Sequence, residues 1–407
     1  MKTQTKSIQK KTRIRSRDLF RFFTQYTSGY DTLIHLSVCI LIIFGFLMIA
    51  SANVGLGENL LGIVMKQIIY IVIGYIFSCL CNRLFTFSRY HSIQNILLSM
   101  LWILMGLAAS TEAINGTKAW LSLGNFSLQP SEFAKLFAIL VVADSIYVAK
   151  KKPKKTWYDL YSFPLFSFLV VNIIMLFQKD WGTFFVINFV YFICVLVPEL
   201  HILKKFKRFM VAIFTSFIIV CIALCALFYY QKDILQGTGL DHIPVRIHNT
   251  FNPYDDLYNT GYQPANALYG MGNSDFFGKG FGNSTRKYGY LTQVDTDYIF
   301  ALIIEETGIF GLMIIGVCYV IILWRLFYYA IRCSDPCSRI VIVGNIGYIF
   351  IHFFLNIGGV SCLVPLTGIP LLFVSRGGSS LISIMISMGI CQKIISTVGK
   401  KNSRISV

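Results

Sequence analysis

Four groups of polar residues interrupt a chain that is otherwise apolar, and two of them carry carboxylates that could act on a substrate. Asp297 follows Thr296 and stands directly before the apolar run that begins at Tyr298. A carboxylate at the start of a helix is held in its ionised form by the helix dipole, and partial burial raises its pKa again. Both properties suit a general base. Helix capping is the alternative role for this residue.

The second carboxylate belongs to Glu132, which is followed by Lys135 in a segment that begins with Gln129 and Pro130. Proline at the first helical position and an acid in the first turn predict a helix start. Because three residues separate Glu132 from Lys135, the two side chains lie on one side of that helix. A lysine in hydrocarbon is costly unless it is paired, so we expect the two to bind each other and to line a polar cavity. Capping explains Glu132 equally well.

The two remaining groups are short connecting segments. Asp180 lies in the connector QKDWGT, where a tight turn between two helices requires such residues for structural reasons alone. The other group spans residues 356–380 and contains Ser375, Arg376 and Ser379. Its prolines and glycines predict an irregular backbone at membrane depth, which membrane proteins tolerate where it lines a cavity.

The composition predicts an integral membrane protein. Of the 407 residues, 55% are hydrophobic and only 14% are charged, and the mean hydropathy is +0.64. Too few polar residues remain to cover a water-facing surface. The net charge of +17 is concentrated in the N-terminal tail and in short connectors, as the positive-inside rule requires. This distribution indicates membrane topology and argues against a nucleic-acid partner. For the N-terminal run alone, contact with anionic lipid or with a cytoplasmic partner is the second interpretation.

The apolar runs predict an all-α protein with about ten transmembrane helices. If the basic connectors are cytoplasmic, both termini lie inside, and no cleavable signal peptide precedes the first span. We expect a basic tail over residues 1–30, one polytopic membrane domain over 31–397 and a C-terminal tail over 398–407. A large extracellular loop, 231–297, joins helices 7 and 8. The predicted spans are 33–51, 60–80, 93–110, 132–149, 163–178, 183–199, 209–230, 298–330, 338–356 and 377–397.

Several common signatures do not fit this chain. The glycines of GKGFG lack the preceding strand that a nucleotide-binding loop requires. Cys333 and Cys337 have no further ligands near them in the sequence, so we predict no metal site there. The eleven cysteines lie mostly in apolar runs and imply no disulfide framework. Motifs of zinc proteases, serine hydrolases and P-loop ATPases do not occur.

The order of the motifs resembles that of the SEDS family, whose type members are FtsW and RodA. These motifs are NGTKAW, QPSEFAK, GYQ, GKGFGNS, KYGYL, TDYIF, EETG, NIGG and SRGGSS. The resemblance covers about residues 31–397 and is closest to the division-type FtsW of Gram-positive bacteria. It implies a peptidoglycan glycosyltransferase of the bacterial cytoplasmic membrane. Such an enzyme polymerises lipid II, the undecaprenyl-pyrophosphate disaccharide pentapeptide, together with a class B penicillin-binding protein and other division or elongation proteins.

The resemblance also assigns roles to individual residues. It implies that Asp297, in the motif TDYIF, is the essential catalytic carboxylate, and that Glu132, Lys135 and Asp180 belong to the site. The further residues expected to bind substrate are Lys118, Arg246, Gln263, Lys287, Ser375, Arg376 and Ser379.

The chemistry expected of this family is displacement of a lipid pyrophosphate from an anomeric carbon by a sugar 4-hydroxyl, with inversion. Asp297 would take the proton. The charge of the leaving pyrophosphate needs a cation, either a bound Mg²⁺ or Mn²⁺ or a basic side chain, among which Lys118 and Arg246 rank first. This sequence departs from the family pattern at several positions, among them Asp295, an added carboxylate, and Arg376, where Tyr is common. These departures bear on which cations hold the pyrophosphate.

Other functions remain open at this stage. A flippase for a lipid-linked precursor would also need a polar cavity within the helices, but it would place charges near the membrane midplane. The four polar groups fall instead at outer helix ends, which favours the polymerase. A non-enzymatic scaffold would tolerate the loss of Asp297. An elongation-type polymerase such as RodA is the alternative within the family.

Overall fold

The computed structural model describes residues 24–56, 59–113, 116–124, 126–231 and 242–405, so most of the predicted N-terminal tail lies outside them. The described chain is mainly helical, with one antiparallel hairpin, and this confirms the predicted fold class. The elements before the large loop are α1 (Thr32–Leu56), α2 (Leu60–Leu84), α3 (Phe87–Ala109), β1 (Leu121–Leu123), β2 (Phe126–Leu128), α4 (Pro130–Lys151), α5 (Trp157–Gln178), α6 (Trp181–Leu196) and α7 (Lys204–Tyr230). Those that follow are α8 (His242–Phe251), α9 (Tyr262–Gly272), α10 (Ile299–Arg332), α11 (Pro336–Val360) and α12 (Gly378–Ile405).

Among the described residues, ten helices match the ten predicted apolar runs in position. Within the described ranges, eight of them are long and apolar enough to cross a membrane, namely α1, α2, α3, α5, α7, α10, α11 and α12. Helix α6 is apolar but has only 16 residues, and α4 carries five charged side chains. The count of ten spans therefore stays a prediction.

Helices α4, α6 and α11 pack against one another at the centre, and α10 joins them by packing on α11 and on α1. Helix α12 makes its most extensive contact with α2. Their backbones approach closely where Gly389 meets Ser78, because a Cβ atom at Gly389 would lie 2.2 Å from the Ser78 carbonyl oxygen. Small residues at such crossings are typical of membrane helix pairs.

Helix α7 lies at the edge of the bundle and presents its apolar side chains outward. Phe206 is its one buried residue among those described. The ring of Phe214 stacks on Phe192 of α6 with centroids 4.0 Å apart, and this contact attaches α7 to the bundle. A helix that is apolar all round and unburied in the protein is expected to face lipid.

The outer loop is attached to α10 at a kink. Gly308 has φ 57° and ψ −137°, and a Cβ atom there would lie 2.4 Å from the Phe276 carbonyl oxygen. The backbone amides of Lys279 and Gly280 donate to the carbonyl oxygens of Glu305 and Glu306 at 2.9 and 3.0 Å. Only a residue without a side chain allows this close approach. The kink therefore holds loop residues 276–280 against α10, and from there the chain runs to Asp297.

Candidate active site

Asp297 stands at the outer start of α10 without capping it. Tyr298 occupies the N-cap position, and no side chain there bonds the helix amides, so capping is excluded as the role of Asp297. Asn356 of α11 donates to the Asp297 carbonyl oxygen at 3.1 Å and to the Ile369 carbonyl oxygen at 2.9 Å. The backbone of Asp297 is thereby held, while part of its side chain remains accessible.

The Asp297 carboxyl titrates near neutrality. Burial raises its pKa from 3.8 to about 6, the Arg246 guanidinium lowers it, and the nearby Asp295 carboxylate raises it further. Gly368 adds to the crowding, since a Cβ atom there would lie 3.6 Å from the Asp297 Oδ2 atom. A group with such a pKa is ionised at pH 7 and accepts a proton more readily than an ordinary aspartate does. These are the properties that a catalytic base requires.

A cavity of about 220 Å³ has Tyr298, the residue that follows Asp297, in its wall. Arg246 of α8 lines it and donates to the Leu366 carbonyl oxygen at 3.4 Å. Gln263 of α9 also lines it and donates to the Thr292 hydroxyl at 2.6 Å. Two of the predicted binding residues thus line a cavity whose wall includes the residue next to the predicted base.

Ser375 and Arg376 contact the two residues directly before Asp297, which are Thr296 and Asp295. The Ser375 hydroxyl donates to the Thr296 carbonyl oxygen at 2.7 Å. The Arg376 guanidinium lies 2.9 Å from the Asp295 carboxylate, and its backbone amide donates to the Asp295 carbonyl oxygen at 2.8 Å. The two departures from the family pattern therefore form one ion pair. It holds the backbone that carries Asp297.

Glu132 and Lys135 form the predicted ion pair, with 2.6 Å between Oε1 and Nζ. The Lys135 ammonium also donates to His352 Nε2 at 3.1 Å, and His352 Nδ1 donates to the Pro370 carbonyl oxygen at 3.1 Å. Both side chains are buried, and the expectation that they line a polar cavity stays a prediction. Through His352, the pair connects α4 to the irregular segment beside Asp297.

Three further predicted residues lie at the ends of helices next to α4, namely Asp180, Ser379 and Lys118. Asp180 caps α6 by accepting from the Thr183 amide at 3.1 Å, as expected of a turn aspartate, and it accepts from the Gln129 side chain at 2.9 Å. The Ser379 hydroxyl accepts from the Gln129 amide at 2.9 Å. Lys118 is exposed, and its amide donates to the Gln178 carbonyl oxygen at 2.9 Å.

Lys287 does not reach the cavity. Its ammonium is buried and lies 3.0 Å from Glu306 Oε1, 3.0 Å from the Ser51 hydroxyl and 2.7 Å from the Gly282 carbonyl oxygen. These contacts satisfy its three protons. Lys287 therefore anchors the loop to α10 and α1, and it is not available to a pyrophosphate group.

The predicted residues thus divide into two groups. Arg246 and Gln263 line the cavity that Tyr298, next to Asp297, helps to form, whereas Glu132, Lys135, Asp180 and Ser379 cluster around the start of α4 and its neighbours. The irregular segment 361–377 separates the two groups and touches both. Sequence reasoning missed two uncharged residues that line the cavity, Asn249 and Thr250. It included Asn356 in the group 356–380 but gave it no role in holding the base. Amides and hydroxyls are common in polar loops, so only their positions distinguish them.

The described residues do not fit a metal ion held by the protein alone. No group of three or more His, Cys, Asp or Glu side chains comes together anywhere in the described ranges. Asp295, the carboxylate nearest to Asp297 in sequence, is engaged by Arg376 and by the Asn53 amide at 3.1 Å. A divalent cation at this site would need most of its ligands from substrate phosphates.

Comparison with known proteins places the chain in a family. The profile of the FtsW/RodA/SpoVE family, described as "Cell cycle protein", matches residues 31–400. A relative from Bacillus subtilis named "Probable peptidoglycan glycosyltransferase FtsW" is 29% identical over 373 residues, which cover 90% of each chain.

Two solved structures share the fold. A chain of a peptidoglycan synthase complex, described as coordinating polymerization and crosslinking, is 23% identical with a TM-score of 0.70, over 91% of this chain and 99% of that one. The rod shape determining protein RodA of Thermus thermophilus is 24% identical with a TM-score of 0.61, over 90% and 97%. The matching profile over residues 31–400 shows that the chain, which has this fold, belongs to the FtsW/RodA/SpoVE family.

Proposed function

We propose that this membrane protein is a peptidoglycan glycosyltransferase that polymerises lipid II into β-1,4 glycan strands on the outer face of the cytoplasmic membrane. The observation that carries the proposal is Asp297, a carboxylate with a pKa of about 6 that stands beside a polar cavity at the start of α10. The family supports the reaction class, since the Bacillus subtilis relative is named as a probable enzyme of this kind.

In the proposed step, the 4-hydroxyl oxygen of one sugar attacks the anomeric carbon of a lipid-linked sugar. The hydroxyl proton passes to the Asp297 carboxylate as the new C–O bond forms. The bond between the anomeric carbon and the pyrophosphate breaks, and the pyrophosphate leaves with the electron pair. A single displacement inverts an α-linked donor into a β-1,4 linkage. The polyprenyl tails remain between the helices, which explains why a sugar polymerase lies in a membrane.

Arg246 and Lys118 are the cations that we propose for the leaving pyrophosphate. Arg246 lines the cavity, and Lys118 is exposed at the outer ends of the helices next to α4. Lys135, Lys287 and Arg376 are each held by a carboxylate within 3.0 Å. A divalent cation bound to the substrate phosphates would supply further positive charge, and no step is derived through it.

The septal role and the partner are further parts of the proposal. The motifs resemble those of division-type FtsW most closely, and this supports septal synthesis. We also propose that both termini lie in the cytoplasm. A class B penicillin-binding protein is the proposed partner, and the likeness to a chain of a peptidoglycan synthase complex supports it. Uncovered apolar helices such as α7 leave room in the membrane for a partner helix.

Purified protein with labelled lipid II tests the proposal, with and without a class B penicillin-binding protein. We expect glycan polymer from the wild type and none above background from Asp297→Ala. A flippase would instead move lipid II across proteoliposomes without making polymer, and a scaffold would do neither. Transport without polymer would overturn the proposal.

The Asp295–Arg376 pair predicts a shift in the pH dependence of this activity. Arg376→Gln removes the positive charge that Arg376 places against Asp295, so Asp295 should raise the pKa of Asp297 further. A higher pKa keeps the base protonated to higher pH. The acid limb of the pH–rate profile should therefore shift to higher pH by roughly half to one unit. Asp295→Asn should move it down. Arg246, on the other side of Asp297, is unchanged in both variants.

Polymerisation rates measured at saturating and at low lipid II over a pH series test this shift. The double variant Asp295→Asn/Arg376→Gln should return the limb close to the wild-type position, because both charges are then removed. Equal losses of rate at every pH, with no movement of the limb, would show that the pair has only a structural role.

A further inference from the structure

We infer that the cavity beside Asp297 binds the uncharged acceptor sugar, the ring that donates its 4-hydroxyl proton, and that Asn249 is the side chain that recognises it. This inference rests on the proposed function. It assigns to this cavity one of the two sugars of the reaction and leaves the pyrophosphate of the other sugar outside it, where Arg246, exposed at the cavity wall, would reach that pyrophosphate from the solvent side. The test below measures binding without catalysis, so the two proposals can fail separately.

The lining of the cavity suits a neutral, hydroxyl-rich ligand. Arg246 is the one charged side chain that lines it among the described residues. Asn249, Thr250 and Gln263 add amide and hydroxyl groups, which can both donate and accept hydrogen bonds. Sugar hydroxyls and N-acetyl groups need this mixture. A pyrophosphate group needs several cations instead.

Asn249 has the property expected of a binding residue. It lies on α8, it is 94% buried, and it lines the cavity. Its carboxamide has no hydrogen-bond partner among the residues that the structure describes, whereas Thr250 donates to the Arg246 carbonyl oxygen at 2.8 Å. Because Asn249 lines the cavity, a ligand that enters it can reach this amide. A ligand hydroxyl or acetamido group would satisfy it.

The size and position of the cavity match one sugar ring. A volume of about 220 Å³ equals that of roughly seven liquid waters, which admits a substituted pyranose but not a disaccharide with its peptide. Tyr298, the residue after Asp297, lines the cavity, so a ring bound there lies next to the carboxylate. The base must contact the acceptor hydroxyl, and the negative charge of Asp297 disfavours the leaving pyrophosphate at the same place.

Cys362 provides a reporter for occupancy, because it lines the same cavity and is partly exposed. The probe is a soluble β-1,4-linked N-acetylated tetrasaccharide without lipid or pyrophosphate. Purified full-length protein is alkylated with a maleimide, and modification of Cys362 is followed by peptide mass spectrometry. Mildly alkaline pH is required, since burial raises the pKa of the Cys362 thiol. Inorganic pyrophosphate is the parallel probe.

We expect the tetrasaccharide to slow alkylation about threefold when its concentration is twice its Kd, and pyrophosphate to have no effect. Asn249→Ala should require roughly three- to tenfold more tetrasaccharide for the same protection. Asn273→Ala, an exposed asparagine at the end of α9, is the matched control and should behave as the wild type. The variant Asp297→Asn should still be protected, because it lacks the base but keeps the cavity.

Two results would overturn the inference. Protection by pyrophosphate and not by the sugar would make the cavity a phosphate site, and protection by neither would show that it is no ligand site. Protection that Asn249→Ala leaves unchanged would remove Asn249 from the recognition of the sugar. If the sugar protects but the wild type makes no polymer, the sugar site stands and the proposed function fails.

Discussion

Replacing Asp297 with asparagine is expected to lower the rate of glycan polymerisation by about 10²–10⁴-fold, the usual contribution of a general base. Asparagine has nearly the same size and keeps the backbone contact with Asn356, but it cannot accept the proton. The affinity for lipid II should change little, so the loss should appear in kcat. Asp275→Asn, an exposed aspartate in the same outer loop, is the matched control and should retain full activity.

The same variant should be at least as stable as the wild type. The folded protein raises the pKa of Asp297 to about 6. The stability that this group contributes is therefore present below its unfolded pKa and is lost as pH rises through 6. At neutral pH the ionised carboxylate is a cost, which asparagine removes. Thermal unfolding at pH 7 should give an equal or higher Tm. A lower Tm together with lost activity would instead indicate damage to the fold.

Lys287→Met is expected to destabilise the protein by about 3–5 kcal/mol, because it leaves the Glu306 carboxylate buried without its cation. Both members of the pair are at most 1% exposed at their side chains. Glu306 would retain the Ser51 hydroxyl, at 2.7 Å, and the Gly282 amide, at 3.0 Å, which cannot replace a full charge. Thermal or denaturant unfolding in detergent measures the loss.

Two further variants make this stability prediction specific. Lys287→Met/Glu306→Gln removes both charges and should recover most of the lost stability, since no uncompensated ion remains. Lys150→Met breaks the partly exposed Lys150–Asp335 pair and should cost about 1 kcal/mol or less. Equal effects of Lys287→Met and Lys150→Met would contradict the anchoring role of the buried pair.

Local spacing was sufficient to predict some of the site. The Glu132–Lys135 pair follows from two residues one helical turn apart, and the structure forms it. The irregular segment 361–377 follows from its prolines and glycines, and the helices follow from apolar runs of bilayer length. These features depend on neighbours in the chain, so the amino-acid order is enough to find them.

Long-range pairings could not be predicted in the same way. Because Lys287 lies in a polar loop, the sequence predicts that it binds substrate. In the structure its partners include Ser51, more than two hundred residues away. The Asp295–Arg376 pair joins two loops on either side of α10 and α11. Asn249 is uncharged and belongs to no motif, so nothing in the sequence distinguishes it from other asparagines. Only the folded arrangement shows which side chains face the cavity.

The central claim is that Asp297 works as a base whose pKa lies near neutrality. Its most direct test is the rate of glycan polymer formation by the wild type and Asp297→Asn, measured side by side from about pH 5 to about pH 8. We expect the wild-type rate to fall below about pH 6, and the variant rate to be low and independent of pH. A variant that polymerises at the wild-type rate would contradict the claim.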